Sequence, residues 1–240
     1  MAKPKCVPLK ITAYLEDGRI NSADGVMMFD AILYHAWFLK FHPEVFLDQL
    51  ESSFNGYIGL PLRHLPGNRY EASKGVFVEL GQAIEHYNKR PDFFASDKIK
   101  YLENAKGIIS DSVGPYRAYR VPQLVRTVKD GKVVFFAVGH KAEVEELLSY
   151  IPAIGKKPSM GWGTVNRWEV EEIAENFATW HPVFGLMRPI EVDQVESVPE
   201  LAAHKDRYPI MRYAIKPPYW KPKNIRVCYV PIIGGSPNDI

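Results

Sequence analysis

Between Ala118 and Val138, two runs rich in β-branched and aromatic residues flank the tetrapeptide Lys129-Asp130-Gly131-Lys132. Asp-Gly between two such runs is a hairpin signal, so Ala118 to Val128 and Val133 to Val138 are expected to pair as antiparallel strands. Pro122 cannot donate to a ladder and should put the first of them at an edge or a bulge. With that unit in place, the rest of the chain must supply elements that cover a sheet.

Upstream, Leu9, Ile11 and Ala13 alternate with Lys10 and Thr12, the period of a half-buried strand over Pro8 to Tyr14. Phe29, Ile32, Leu33, Ala36 and Trp37 then recur at helical spacing as far as His42-Pro43. Downstream, Val144, Leu147, Leu148 and Ile151 fall at i, i+3, i+4 and i+7, predicting a helix that ends near Pro152, and Thr164 to Val170 reads as a last strand. Residues 55–114 carry scattered Gly, Pro and basic residues, with a short helix at most over Gly81 to Lys89. So long a stretch is read as an insertion with short elements of its own that projects from the core. The order strand, helix, insertion, strand, strand, helix, strand is that of an α+β, ferredoxin-like (RRM-like) βαββαβ core over residues 1–171. The exposed face of its sheet is a natural place for single-stranded RNA. Residues 172–240, rich in Pro, aromatic and basic residues, form a C-terminal extension packed on that core.

Net charge does not reveal a partner, because 30 basic residues are set against 28 acidic ones. Distribution says more: Arg212, Lys216, Lys221, Lys223 and Arg226 occur within Tyr208 to Arg226 without an acid, whereas Glu169 to Glu175 and Glu191 to Glu200 are acidic. The 2 cysteines, Cys6 and Cys228, have neither metal-ligand nor disulfide-scaffold spacing, so no metal or cofactor is expected and a reducing compartment fits. No run of apolar residues is long enough for a membrane span or a signal peptide. A cytoplasmic protein is expected.

The segment between the second helix and the last strand, Ile154-Gly155-Lys156-Lys157-Pro158-Ser159-Met160-Gly161-Trp162-Gly163-Thr164-Val165, is the most informative. Three glycines permit positive φ and close backbone approach, two lysines supply charge for phosphate, and freed backbone N–H groups could form an anion nest. Gly155, Lys156, Lys157, Ser159, Gly161, Trp162 and Gly163 are therefore candidate RNA-binding residues. A turn with incidental lysines is the alternative reading. Arg117 and Arg120, with Tyr116 and Tyr119 interleaved, suit phosphate pairing and base stacking. Arg63, His64 and Arg69, followed by Lys74, could form the base of a thumb that wedges between nucleotides; ordinary surface charge explains them equally well. The 7 histidines show no ligand spacing, and no GxSxG, HExxH or Walker sequence occurs, so no catalytic residue is assigned.

On this loop, the chain resembles the CRISPR RAMP superfamily, whose glycine-rich loop follows the second helix of a ferredoxin-like unit and contacts guide RNA. Further stretches narrow the resemblance to the guide-RNA 5′-handle-binding (Cas five-like) subunit of type IV effector complexes. They are Met28-Phe29-Asp30-Ala31-Ile32-Leu33-Tyr34-His35-Ala36, Phe136-Ala137-Val138-Gly139-His140, Leu186-Met187-Arg188-Pro189-Ile190 and Pro217-Pro218-Tyr219-Trp220. The first of these is bulkier than the family's small-residue pattern. The resemblance implies a non-enzymatic subunit that caps the 5′ end of the guide RNA (crRNA) in a prokaryotic, cytoplasmic ribonucleoprotein. Its implied neighbours are a repeated RAMP backbone subunit, a large subunit and, near the handle, target DNA. Some relatives are metal-independent endoribonucleases that process precursor guide RNA, and that is the alternative function. A small-molecule-binding enzyme on the same scaffold is a third.

Overall fold

The computed structural model describes residues 5–22, 25–44, 58–67, 69–89 and 119–232. The central strand is β1 (Val7–Leu15), in which Leu9, Ile11 and Ala13 are fully buried as the alternation demands. Long antiparallel ladders flank it on both sides. These join β1 to β7 (Lys132–Gly139) and to β8 (Val165–Glu172). Beyond β7, Ser73 and Phe136 and then Val76 and Val134 bond across, giving the order 71–76, β7, β1, β8. Helices α1 (Phe29–Phe41) and α2 (Lys141–Leu148) pack together on this sheet, with Phe29, Leu33, Phe38, Val144, Leu147 and Leu148 in one core with Leu9, Ile11, Val133 and Phe135. The fold is α+β.

Strand β7 is buried on both faces, which explains its unbroken apolar run. Val133, Phe135 and Ala137 face the helices, whereas Val134 and Phe136 belong to a second cluster with Val76 and Met187. Phe177 stands edge-on to Phe136, with ring centroids 5.4 Å apart. The sheet face expected to lie open for RNA is thus covered at β7 by the C-terminal chain. Toward β8 it carries charged residues instead: Lys10 forms an ion pair with Glu171 at 3.3 Å, and Arg167 stacks 3.6 Å from the Tyr14 ring centroid.

The expected hairpin does not form. Strand β6 (Tyr119–Val128) pairs with β5 (Glu79–Lys89) and with the short β2 (Arg19–Asn21), while β7 pairs with β1. Residues Lys129–Gly131 form a 3-10 turn with Asp130 at φ 53° and Gly131 at φ 61°, and carry the chain from one sheet to the other. Burial is the reason: β7 is apolar on both faces and belongs inside, whereas β6 is exposed along much of its length. Pro122 lies beyond the reach of β2, so among the described residues one side of β6 has no partner strand there, the position that a proline without an N–H tolerates. The helix expected over Gly81 to Lys89 is instead the body of β5, because ten residues of β6 offer it a partner. Pairing outweighs local helix propensity.

The 55–114 insertion divides. Its described part from 58 to 78 contains the two-residue strands β3 (His64–Leu65) and β4 (Arg69–Tyr70) and lies in the core, with Leu60, Leu62, Tyr70, Ala72, Val76 and Val78 buried. Among the described residues of this stretch, the part that leaves the core is β5, paired with β6; the chain between those strands lies outside the described residues. The C-terminal part contributes strands β9 (Trp180–His181), β10 (Gly185–Leu186), β11 (Ile190–Glu191), β12 (Ile210–Ala214) and β13 (Ile225–Tyr229) and helix α3 (Pro199–His204). Strands β11, β13 and β12 form one sheet, with β12 at its edge.

Candidate nucleic-acid interface

The glycine loop is closed at its base by the bridge between Ala153 and Thr164. Two backbone bonds clip it to β2, from Gly163 N–H to Arg19 O and from Lys156 N–H to Asn21 O, both 2.8 Å. The glycines are of two kinds. Gly155 and Gly163 have φ 87° and 73°, and a Cβ would lie 2.6 Å from Asn21 O in the first case and 1.9 Å from Ile154 O in the second. Their role is to let the loop lie against β2 and against itself. Gly161, at φ 85°, faces open space.

Trp162 is 1% exposed, so it anchors the loop in the interior and offers no stacking face. The N–H groups of Lys156, Met160, Gly161 and Gly163 all donate within the protein. At those four positions the amide nest expected from the glycines is replaced by internal bonds. The loop presents Gly155, Lys156, Pro158, Ser159, Met160 and Gly161 outward. Lys157 is half-buried in a left-handed conformation, φ 58°, with Nζ 4.1 Å from the centroid of the Tyr87 ring.

That contact ties the loop to the β5–β6 arm. Tyr87 lies 6.3 Å, centroid to centroid, from Tyr119, and the exposed Arg120 pairs in register with Asn88 next to it. Asn21 Nδ2 also donates to Gln123 Oε1 at 2.8 Å. Arg120 therefore stands in the same arm as the loop's aromatic neighbours, while Arg117 and Tyr116 lie outside the described residues.

The basic residues of the 58–78 segment are placed differently. Arg63 forms a short ion pair with Glu71, whose other oxygen accepts from Asn176 Nδ2 at 2.7 Å. His64 packs its ring 4.7 Å from that of Tyr70. Arg69 is 4% exposed, with Nε donating to Pro66 O at 2.8 Å and Nη2 to Gln194 Oε1 at 2.5 Å. Lys74 is equally buried, and its Nζ donates to Ile232 O; burial lowers its pKa to about 8. Arg69 and Lys74 are interior ties between the core and the C-terminal chain, whereas Arg63 and His64 of the expected thumb base are exposed.

Arg188, Asp30 and Tyr219 belong to the same seam. Arg188 is fully buried and donates through Nη1 to Tyr70 O and through Nη2 to Ile215 O. Asp30 Oδ1 accepts from Tyr219 Oη–H at 2.8 Å. Burial pushes the Asp30 carboxyl up to about 6, opposed by the charge of Arg188.

The feature that sequence reasoning missed is a groove of about 870 Å³ between the loop, α1 and β12. Lys156 and Pro158 line it from the loop, Arg212 and Tyr213 from β12, and Ala31, Ile32 and His35 from α1. The C-terminal basic stretch hinted at Arg212, but only the packing of the extension brings it to the same groove as the loop. Burial holds the His35 imidazole below its ordinary pKa. Among the described residues, no group of three or more His, Cys, Asp and Glu side chains could hold a metal ion.

Residues 7–231 match the family model of the CRISPR type IV associated protein Csf3. The chain belongs to that family. It is thereby a type IV CRISPR-associated subunit, which implies membership of a multi-subunit complex. No curated protein matches the chain. No helix among the described residues is long and apolar enough to cross a membrane.

Proposed function

We propose that this subunit binds the 5′ handle of the guide RNA and caps a type IV effector complex, on a ferredoxin-like RAMP core and without cutting RNA. The observation that carries this reading is the loop itself. It is clipped to β2, presents Lys156, Ser159 and Gly161 outward, and lines a groove together with Arg212, with Tyr87, Tyr119 and Arg120 on the adjoining arm. Exposed cations beside aromatic rings and an open glycine suit a single strand held by its backbone. In RNA-guided complexes, base pairing reads sequence while protein grips the backbone. A repeated backbone subunit and a large subunit would lie alongside, with target DNA near the handle, in a prokaryotic cytoplasm.

Replacing Lys156 and Lys157 together by Ala should weaken guide binding and reduce the salt slope by about 0.7 for each lost phosphate contact. The thermal melt should not change. Unchanged affinity and slope in a folded variant would remove the loop from the RNA path. Repeat RNA incubated with the protein, with and without Mg²⁺, should stay full length. A cut at one phosphodiester would make the chain a guide-processing endoribonuclease instead.

A further inference from the structure

The groove between the loop and β12 has a composition that backbone binding alone does not require. Phosphates need cations and donors, yet Val26, Met27, Ile32 and Ile154 give this cleft apolar walls, and among the described residues no carboxylate lines it. Lys156 from the loop and Arg212 from β12 both line it and are exposed, and neither forms an ion pair among the described residues. An occupant must therefore combine a flat or apolar part with negative charge. Tyr213, half-buried and packed against Ile215, Cys228 and Val230, contributes to the wall, and Ser22 and His35 are polar residues that line it.

Resting on the RNA-binding reading above, we infer that this groove is a base pocket: one unstacked nucleobase of the single-stranded guide enters it, with its flanking phosphates on Lys156 and Arg212. Burial of the base covers an apolar cleft that would otherwise stand open to water. Stacking on Tyr213 and edge contacts to Ser22 or His35 give the site a means of preferring one base, which the lysines of the loop cannot do. The pocket would fix the register of the handle, whereas the loop grips its backbone. Continuity favours RNA over a docked protein segment, since Lys156 belongs to both the groove and the loop.

An abasic scan of the handle RNA against the unmodified full chain tests this. Removing the base at one position, or at two adjacent ones, should weaken binding about 5- to 150-fold, the range of a single stacked base. The salt slope should not move, because the phosphates remain. In parallel, Ala31→Phe fills the groove from α1; it should weaken intact guide to a similar extent and add no further loss on the critical abasic RNA. If that variant does not fold, the scan decides alone. A flat abasic profile, while the Lys156 and Lys157 double variant still lowers the salt slope, would overturn the base pocket and leave backbone binding standing. The same flat profile with the groove protected by another subunit in the assembled complex would assign it to protein docking. Absence of any RNA binding would overturn both readings.

Discussion

Two basic regions look alike in sequence and differ in space. In the 58–78 segment, Arg69 and Lys74 are buried and hydrogen-bonded, and Arg63 is neutralised by Glu71. In the glycine loop, Lys156 is exposed without an ion pair among the described residues, and Lys157 leans on a tyrosine ring. A cation can serve nucleic acid only if its hydrogen-bonding capacity is not already engaged by the fold. The first set stabilises the seam between core and extension; the second is available to a partner.

The sharpest way to break that contrast is at the seam. Arg188→Met should destabilise the protein by about 3–5 kcal/mol, because it leaves the buried Asp30 carboxyl without its compensating cation. Denaturant unfolding measures this, and a loss under about 1 kcal/mol would mean that the seam carries little of the fold.

Within the loop, Gly163→Ala should cost about 3 kcal/mol or more, since its Cβ would collide with Ile154 O at 1.9 Å on top of the positive φ. Gly161→Ala faces open space and should cost only about 1 kcal/mol of backbone strain. Equal losses at the two positions would show that the loop does not pack as described.

Asp30 offers a pH test of the seam. Its folded pKa, about 6, lies above its ordinary value, so the folded protein holds this proton more tightly than the unfolded chain does. Its contribution to stability is therefore fully present below the ordinary carboxylate pKa, and is lost as pH rises from about 4 to about 6, by roughly 2–3 kcal/mol. The difference between wild-type and Asp30→Asn unfolding across that range should show this fall. A flat difference would place the carboxyl in water.

At the small end, the Lys156→Ala, Lys157→Ala pair should change stability by less than about 0.5 kcal/mol, since Lys156 is exposed and Lys157 makes only a partly exposed ring contact. A larger loss would place these lysines with Arg69 and Lys74 as structural cations.

Local pattern located β1, α1, α2 and β8, and in β1 and α2 the apolar residues recur on one side of a regular element. The glycine loop was also legible, as Gly and Lys between a helix and a strand, but not the division of labour within it. Gly163 and Trp162 serve packing, while Gly161 and Lys156 face outward, and their residue types do not reveal this. Strand partners were misread for a related reason. Asp-Gly at 130–131 marks a sharp turn in either arrangement, and whether β6 folds back on β7 or crosses to β5 depends on burial that β1 and the C-terminal chain provide.

The sequence by itself determined the α+β class, the core faces of the main elements and the loop that turns the chain between α2 and β8, since each follows from local period and backbone freedom. Tertiary structure alone decided which cations are free, how β6 pairs, and that Arg212 lines the same groove as Lys156. Those properties depend on charges and backbone groups finding partners far away in the chain, and a linear pattern carries no record of which partner is reached.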